Sequence, residues 1–327
     1  MKITNNQDDM NKKFDVVVIG EINVDLILNG NVDPQFGQVE QIVDDANLQL
    51  GSSAVIFACG AAKLGLKTAF IGVVGDDLFG TFMINELNKK SINTDGVIIK
   101  PSIKTGLSVI LTKKNDRAIL THLGSIPELI YSDINFEIIA QSKHLHLASY
   151  FMLDNLRPDL SKLFDQVKEL GLSISIDTNY DPKELWNGGI NDLLKIVDIF
   201  LPNQNELLAI TKQKNLETAI VEINKLVPIV VVKMGKEGAI GKMVNKPQAL
   251  APSVEVDVVD TVGAGDSFDA GFIYGYLKQF DLMHSIQIAI VCGSLSTRKP
   301  GGTSAQPDFD EVKEYLGKMN KNYDDFK

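Results

Sequence analysis

The sequence predicts an α/β fold, a three-layer α/β/α sandwich with a mainly parallel central sheet, and a small second β-sheet that forms a lid. Three observations predict it. Short β-branched runs alternate with helix-length segments along most of the chain, the longer segments are amphipathic, and two stretches interrupt the alternation. Parallel strands need long connections, usually helices, so the alternation favours a parallel sheet that is covered on both faces.

Runs rich in valine, isoleucine and leucine predict the strands of the large sheet. They are residues 14–19, 67–74, 143–148, 172–177, 199–201 and 229–233. The segment 160–170 illustrates the helices between them, because its apolar residues recur at the spacing of one helix face: Leu160, Leu163, Phe164, Val167 and Leu170. Gly171 follows directly, and glycine commonly ends a helix at this position.

Two stretches, 26–50 and 97–120, lack a helical pattern and predict the strands of the lid. Residues 106–112 and 117–121 are β-branched segments on either side of the polar turn 113–116, which is typical of a β-hairpin. A small sheet of this kind has a face that its own domain leaves open. We therefore expect it to close over a substrate or to meet a partner subunit.

Composition is that of a globular protein that does not bind nucleic acid or a membrane. Hydrophobic residues make up 44% of the 327 residues, charged residues make up 23%, and the net charge is -10. The chain has no basic stripe that would neutralise phosphates, and its apolar runs are too short to span a bilayer. We expect residues 1–13 to be a disordered leader and residues 14–327 to form the domain.

The two cysteines, Cys59 and Cys292, lie in apolar, helix-like segments. Buried free thiols fit a reducing compartment, and two such residues exclude a disulfide framework. The first residues of the chain also lack the apolar stretch of a secretory signal. These features predict a cytoplasmic protein.

The segment Asp260-Thr-Val-Gly263-Ala-Gly265-Asp266 carries the strongest chemical signal. A strand-like run, 254–259, precedes it and a helical pattern follows, so the turn should point its amides and a helix N-terminus into one concavity. Such a concavity binds anions. Asp266 within it is suited to take a proton from a hydroxyl that attacks a phosphoryl group, although an aspartate here also suits a simple helix cap.

The same turn resembles, letter for letter, the C-terminal motif of the ribokinase-like (PfkB) carbohydrate kinases, Asp-Thr-x-Gly-Ala-Gly-Asp. Their N-terminal motif is matched without a gap from Gly51 to Gly65 and continues into residues 72–80. Shorter similar pieces are residues 20–25, 177–179, 203–206 and 231–238, so the resemblance covers 14–307. It implies a ribokinase-like fold, ATP and Mg²⁺ as cofactors, a small-molecule sugar substrate, and a homodimer formed through the lid.

By this resemblance Asp266 is the catalytic base, and the amides of Gly263, Ala264 and Gly265 stabilise the transferring phosphoryl group. Asp25 would bind sugar hydroxyls at the end of a strand, which is where α/β sheets bind ligands. The other residues implied for the sugar are Asn23, Gly51, Ser52 and Ser53. Considered without the resemblance, Asp25 also suits a turn, and residues 51–53 suit a plain N-cap.

The same resemblance implies the residues that bind the nucleotide and its metal ions. The residues implied for the nucleotide are Asn203, Lys233, Gly235, Glu237 and Gly238. Glu206 would act on Mg²⁺ through water, because Mg²⁺ keeps much of its hydration. Asp260 and the loop 297–302 would hold a monovalent cation, K⁺. The structural alternatives are a solvated helix start at 203–206 and an ordinary hairpin turn at 233–238.

The chain departs from the family pattern at Ser52, where the family has a second glycine, and at Ile56. Ile56 stands where the family has an asparagine that faces the sugar, which argues against D-ribose because isoleucine cannot hydrogen-bond. The segment 177–186 resembles fructokinases and 2-keto-3-deoxygluconate kinases, which favours a hexose or a sugar acid, with Arg157 as a cation for the acid. The sequence thus predicts a kinase that transfers the γ-phosphoryl group of ATP to a sugar hydroxyl. A nucleoside kinase of the same fold and a sugar-sensing binding protein remain as alternatives.

Overall fold

The computed structural model describes residues 12–113 and 116–319, which contain thirteen strands and ten α-helices. The strands are β1 (Phe14–Ile19), β2 (Asn23–Asn29), β3 (Asp45–Leu50), β4 (Thr68–Gly75), β5 (Asn93–Lys100), β6 (Gly106–Lys113), β7 (Asp116–His122), β8 (Ser142–Leu147), β9 (Ser173–Ile176), β10 (Ile199–Phe200), β11 (Ile229–Lys233), β12 (Ala239–Met243) and β13 (Ala249–Ala251). The helices are α1 (Ser53–Lys63), α2 (Leu78–Lys89), α3 (Phe136–Ala140), α4 (Leu160–Glu169), α5 (Ile190–Leu193), α6 (Gln204–Thr211), α7 (Leu216–Ile223), α8 (Ala264–Leu277), α9 (Leu282–Ser296) and α10 (Phe309–Met319). Residues 1–11 of the predicted leader lie outside the described residues.

Nine strands form the large sheet, in the order β13-β12-β11-β10-β9-β8-β1-β4-β5. Neighbours from β11 to β5 are parallel, and only β12 and β13 at the other edge pair antiparallel. All six strands predicted for this sheet are present. The eight residues of β4 are all buried, as expected for a parallel strand that is covered on both faces.

Helices cover both faces of the large sheet and complete the predicted three layers. One apolar core lies under α1, α2, α8, α9 and α10, and a second lies under α3 to α7. Alternate residues of β1 divide between them, because side chains along a strand point to opposite faces: Val16 and Val18 belong to the first core, and Val17 and Ile19 to the second. The three-layer sandwich is therefore confirmed.

Four strands form the separate small sheet, in the order β3-β2-β6-β7. The predicted hairpin is confirmed as β6 and β7, which pair antiparallel with Lys113 opposite Asp116. The predicted lid boundaries need correction at two points. Residues 97–100 belong to β5, the edge strand of the large sheet, and the lid begins at Asn23 rather than at residue 26.

The two faces of the small sheet differ in polarity. We call the more polar face the inner face; it has the polar rows Gln49-Asp25-Ser108-Thr121 and Asp45-Asn29-Thr112-Arg117, and between them the largely apolar row Asn47-Ile27-Ile110-Ile119. The outer face carries the rows Leu48-Leu26-Val109-Leu120 and Ala46-Leu28-Leu111-Ala118. The inner face borders a cavity of about 510 Å³, and residues 258–262 line that cavity from the other side.

The strand predicted over 254–259 is not formed. The last strand, β13, ends at Ala251, and the chain then runs as a loop to the glycine-rich turn. Val254 and Val256 pack against the first core, and Val259 N donates to Thr297 O at 2.8 Å. The alternating valines thus reflect packing on one side, without a partner strand.

Candidate active site

The candidate site lies at the carboxyl ends of the parallel strands. The segments that leave β1, β8, β9, β10 and β11 come together there with the N-termini of α1 and α8, and side-chain hydrogen bonds connect them. Ligands of parallel α/β sheets bind at this edge. The residues that the sequence predicted for the base, the sugar and the nucleotide all lie in these segments or in the loops next to them.

The glycine-rich turn leads directly into α8. Gly263 has φ +70°, and a β-carbon there would lie 2.8 Å from Gly302 Cα and 2.8 Å from Ile56 Cγ2, so only glycine fits. First-turn amides have no partner within their helix, and the helix dipole adds positive charge there. Ala264 N donates to Thr261 O at 3.3 Å, which closes the turn and leaves Gly265 as the better-placed amide of the two for an anion.

Asp266 is the third residue of α8 and is 8% exposed. Burial, followed by the negative charge of Asp177, raises the pKa of Asp266 to about 8, against the opposing charge of Lys233. A hydrogen bond with Ser53 favours the ionised form. A carboxyl that titrates near neutral pH is well matched to general-base chemistry.

Lys233 lies in a buried ion cluster with two aspartates. Its Nζ donates to Asp177 Oδ2 at 2.8 Å and to Asp269 Oδ2 at 3.0 Å. Burial alone would raise the pKa of Asp177, but the charge of Lys233 holds it below its usual value, whereas burial keeps the pKa of Asp269 well above its usual value. Asp177 therefore keeps the negative charge that pairs with Lys233.

The position of Lys233 differs from the nucleotide-lining role that the sequence suggested for its side chain. Its ammonium lies 3.5 Å from the point where a β-carbon on Gly265 would stand, so it is directly beneath the glycine-rich turn. There it adds positive charge under the anion-binding amides. The sequence interpretation missed Asp269, although its position one helical turn after Asp266 was an available signal.

Asn203 and Glu206 begin α6 as a reciprocal capping box. Glu206 N donates to Asn203 Oδ1 at 2.9 Å, and Asn203 N donates to Glu206 Oε2 at 2.8 Å. Glu206 is 5% exposed, so the alternative interpretation of residues 203–206 as a solvated helix start is wrong. Burial, followed by the charge of Asp177, raises its pKa to about 7. The strand bridge between Asn203 and Lys233 places this carboxyl beside the buried ion cluster.

The turn after β11 is a short 3₁₀ helix, Gly235–Glu237, followed by Gly238. Gly238 has φ +92°, and a β-carbon there would overlap the Ala251 carbonyl oxygen. Glu237 is exposed. The turn thus lies at the same edge of the sheet as the cluster, with a backbone conformation that requires glycine.

Asn23, Asp25 and Gly51 form one compact group where the lid joins the body. Asn23 Nδ2 donates to Asp25 Oδ1 at 3.0 Å, and a β-carbon on Gly51 would overlap that same oxygen. Burial raises the pKa of Asp25 to about 6, and Asn23 and the charge of Arg117 oppose the rise. The predicted sugar residues are therefore brought together, with Asp25 on the inner face of the lid.

Ser52 and Ser53 open α1, as the sequence predicted. Ser52 Oγ accepts from Val55 N at 3.1 Å as the N-cap and donates to Glu21 O at 2.6 Å. Ser53 N donates to Glu21 Oε1 at 3.2 Å, and Asn179 Nδ2 donates to Ser53 Oγ. The sequence interpretation gave no role to Glu21 or Asn179, although both lie in segments that resemble the family.

Asp260 connects the glycine-rich turn with the lid. Its carboxylate accepts from Val262 N at 3.0 Å and from Gly301 N at 2.9 Å, and Arg117 Nη1 lies 3.5 Å from Oδ1. Arg117 belongs to the inner face, so this ion pair crosses the cavity between lid and body. The predicted cation residue thus already has two backbone donors and one side-chain partner.

Two further residues, which the sequence analysis related to the acceptor sugar, make other contacts. Ile56 is 3% exposed and packs on Gly263 and Gly302, so it supports the glycine-rich turn. Arg157 donates to Asp154 and to Phe151 O, which leaves no contact between it and the sugar residues.

No group of three His, Cys, Asp or Glu side chains within residues 12–113 and 116–319 is arranged to hold a metal ion. A metal at this site would therefore depend on phosphate oxygens and water as well as on protein ligands. None of the helices in the described part of the chain is long and apolar enough to cross a membrane.

A three-layer α/β sandwich, a glycine-rich turn beside a buried carboxyl, and a separate lid sheet define a ribokinase-like sugar kinase. The chain belongs to the pfkB family: the model of the pfkB family carbohydrate kinases matches residues 13–308. It is thus an ATP-dependent carbohydrate kinase.

Known proteins similar to this chain agree with that class. An uncharacterised sugar kinase of Archaeoglobus fulgidus is 32% identical over 223 residues, which are 68% of this chain and 88% of the relative. A 2-dehydro-3-deoxygluconokinase of Bacillus subtilis is 27% identical, over 93% of this chain and 96% of its own. Among solved structures, an E. coli protein provisionally named ribokinase II, crystallised with ATP and Mg²⁺, has a TM-score of 0.85 at 25% identity and covers 93% of this chain and 99% of its own.

Proposed function

We propose that this chain transfers the γ-phosphoryl group of ATP to a primary hydroxyl of a hexose or sugar acid, with Asp266 as the general base. The position of Asp266 carries the proposal. It is a buried carboxyl in the first turn of α8, directly after the glycine-rich turn, with a pKa raised to about 8 chiefly by burial. Base and anion-binding amides are therefore adjacent in the chain and in space.

The chemistry assigned to these residues is an in-line displacement. Asp266 accepts the proton of the attacking hydroxyl while that oxygen bonds to the γ-phosphorus and the bond to the ADP oxygen breaks. The amides of Gly263 and Gly265, the α8 dipole and the Lys233 ammonium stabilise the charge on the phosphoryl oxygens, whereas Ala264 N is held by Thr261 O. Asp266 then releases its proton to solvent, so no covalent enzyme intermediate is needed.

The nucleotide residues fit ATP with Mg²⁺. Glu206 offers a buried carboxyl beside the ion cluster, Asn203 fixes it, and the turn 235–238 borders the same edge. Mg²⁺ bound with ATP would neutralise phosphate charge, with Glu206 acting on it through water. The ATP and Mg²⁺ complex of the E. coli neighbour supports this assignment.

The acceptor residues support a hexose or sugar acid over D-ribose. Ile56 is occupied in packing against Gly263 and cannot hydrogen-bond. Asp25 and Asn23 offer polar groups for hydroxyls, and Arg117 offers a guanidinium at the far end of the inner face. The name of the B. subtilis relative supports a sugar acid.

A homodimer through the outer face of the lid is part of the proposal. Two complete rows of apolar side chains cross all four strands there, and Leu48 and Leu120 are 41% and 62% exposed. A second copy of this face would bury these rows against each other. A monomeric mass in light scattering at micromolar concentration would contradict the dimer.

The proposal also includes a compartment and a monovalent cation. Cys59 and Cys292 are free and buried, which supports the cytoplasm. K⁺ would bind the backbone carbonyls of the loop 297–302, and Asp260 would position that loop through Gly301 N. Equal initial rates in K⁺ and Na⁺ would exclude the cation.

The test is ADP release from Mg-ATP with ribose, fructose, 2-keto-3-deoxygluconate, tagatose 6-phosphate and nucleosides as acceptors. We expect one strong sugar acceptor, and we expect Asp266→Asn to lower its kcat by roughly a thousandfold. Asp310→Asn, a change of the same kind at an exposed site on α10, should leave the rate unchanged.

Each alternative has its own outcome in this assay. A nucleoside as the best acceptor would favour the nucleoside kinase, and ATP binding without turnover on any acceptor would favour the binding protein. Full activity in Asp266→Asn would show that Asp266 is not the base.

A further inference from the structure

We propose that Glu21 is a positioning residue for the reaction: its carboxylate fixes Ser53, the residue that hydrogen-bonds Asp266, and places a second negative charge beside the base. This inference rests on the proposed function. Glu21 lies two residues after the end of β1.

A set of hydrogen bonds connects Glu21 with Ser53, the residue that interacts with Asp266. Glu21 Oε1 accepts from Ser149 Oγ at 2.7 Å and from Ser53 N at 3.2 Å. Asn179 Nδ2 donates to Ser149 Oγ at 2.9 Å and also to Ser53 Oγ. The Ser53 side chain in turn interacts with Asp266 and lowers its pKa, which favours the ionised base. Glu21 thus holds Ser53 both directly and through Ser149 and Asn179.

The burial of Glu21 is costly, which argues against a purely structural role. Glu21 is 6% exposed, and its Oε2 is buried without a hydrogen-bond partner, a property that only Thr178 Oγ1 shares among side-chain atoms of the described chain. An unpaired buried polar group of this kind costs about 1–3 kcal/mol, more when charged. A neutral residue could hold Ser53 and Ser149 at lower cost, so the carboxyl indicates a need for its charge.

Backbone strain is concentrated in the same group of residues. Ser52, Ser149 and Asn179 are not glycines, yet their φ values are +73°, +55° and +55°. Strained backbone conformations of this kind persist where the surrounding structure requires them, commonly at functional sites. Two of these residues belong to the connection between Glu21 and Asp266, and Ser52 Oγ bonds Glu21 O.

The charge of Glu21 acts on Asp266 together with the charges of two other groups, Asp177 at the end of β9 and Lys233 at the end of β11. Asp269, one turn further along α8, also bonds to Lys233. Burial raises the pKa of Glu21 to about 7, so Glu21 and Asp266 titrate as a coupled pair around neutral pH. Removing the Glu21 charge should therefore let Asp266 ionise at lower pH.

Two substitutions separate the charge of Glu21 from its hydrogen bonds. Glu21→Gln keeps an acceptor for Ser53 and Ser149 but removes the charge. We expect it to move the acidic limb of the kcat profile to lower pH by about one unit and to lower kcat less than tenfold. Glu21→Asp keeps the charge but is one methylene too short. We expect it to leave the acidic limb in place and to lower kcat more than tenfold, with KM for ATP unchanged in both variants.

The control is Glu314→Gln on α10, which removes one exposed carboxylate far from the site and should leave the profile unchanged. An acidic limb that stays in place in Glu21→Gln, or equal losses of kcat in the two variants, would overturn the inference and leave Glu21 a structural role. If the wild type released no ADP with any acceptor, the proposed function would fail separately. Infrared titration of the Asp266 carboxyl, identified by difference against Asp266→Asn, would then decide: an unchanged midpoint in Glu21→Gln overturns the inference, and a lower midpoint supports it.

Discussion

Strand β4 in the large sheet buries all eight of its residues, whereas β7 in the lid leaves all seven exposed. Their sequences differ in the same sense, because β4 has no charged residue whereas β7 contains Asp116, Arg117 and His122. Helices cover the large sheet on both sides, whereas the lid borders a cavity on its inner face and joins the first core on its outer face only at the end near the body, through Val24, Leu50 and Leu107. The body is thus stabilised by its own packing, whereas the stability of the lid depends on the groups that cover its exposed surfaces.

Charged residues differ between the two regions in the same way. The side chains of Lys233, Asp177 and Asp269 are 12%, 4% and 1% exposed, whereas those of the lid pair Lys113 and Asp33 are 56% and 63% exposed. Removing a buried partner leaves an uncompensated charge, whereas an exposed partner is replaced by water. Substitution of a buried charge in the body should therefore give a large effect, and substitution of an exposed charge in the lid a small one.

The largest effect is expected from Lys233→Met. The substitution leaves the charge of Asp177 buried without its partner, so the free energy of unfolding should fall by roughly 3–5 kcal/mol. The matched substitution in the lid, Lys113→Met, should change it by less than about 1 kcal/mol. Urea unfolding of both variants at pH 7 measures the difference.

The double variant Lys233→Met with Asp177→Asn is the check on that explanation. It should recover part of the lost stability, because the buried charge is removed together with its partner. Similar small losses for Lys233→Met and Lys113→Met would show that the cluster is hydrated, and the contrast between body and lid would then not extend to charges.

The next effect concerns pH and the carboxyls buried where the two regions meet. Their pKa values are raised to between about 6 and about 8: Asp25, Glu21, Glu206 and Asp266. A carboxyl whose pKa is raised on folding contributes stability below its ordinary pKa of about 4 and loses it as the pH rises through the folded value. We expect the protein without ligands to be more stable at pH 5.5 than at pH 8, by roughly 3 kcal/mol.

Thermal or urea unfolding across this pH range measures the slope, and Asp266→Asn should make it shallower. Carboxyls with lowered pKa values, such as Asp15 and Asp77, affect stability only at more acidic pH. Equal stability at pH 5.5 and pH 8 would mean that these four carboxyls are solvated in the free protein.

The smallest effect is expected from Arg117→Gln in the lid. Arg117 reaches Asp260 across the cavity, but the pair is 41% and 22% exposed and Asp260 keeps two backbone donors without it. KM for the sugar should rise roughly threefold to tenfold, because the lid closes less readily, while KM for ATP stays unchanged. A large fall in kcat would instead place Arg117 at the reacting atoms.

The sequence was sufficient for six of the nine strands of the large sheet, because they are local patterns with two covered faces, whereas β12 and β13 were not predicted. The valine run 254–259 was misread because β propensity does not reveal whether a partner strand is available, and the sheet already ends at β13. Residues 97–100 were placed in the lid because a strand pattern does not name its sheet. The pairing of β5 with β4 assigns these residues to the large sheet.

The site was predictable where chemistry is adjacent in the chain and not where it is assembled in space. Asp266 and its glycines are neighbours, so one motif contained them. The buried ion cluster is built from three distant segments of the chain. Nothing in the sequence indicates that Asp177 and Asp269 both bind the Lys233 ammonium. Glu21 was equally inconspicuous, because its importance lies in its burial and in its contact with Ser53.

The parallel pairing of β2 with β6 has a consequence for how the chain folds during synthesis. Asn23 lies opposite Gly106, and β3, α1, β4, α2 and β5 all lie between the two strands in the chain. Until Gly106 leaves the ribosome, β2 and β3 have only each other, and an isolated two-stranded hairpin is marginal in water. Such long-range pairs form late. A nascent chain that pauses before this point therefore exposes the leucines of β2 to chaperones and to other nascent chains.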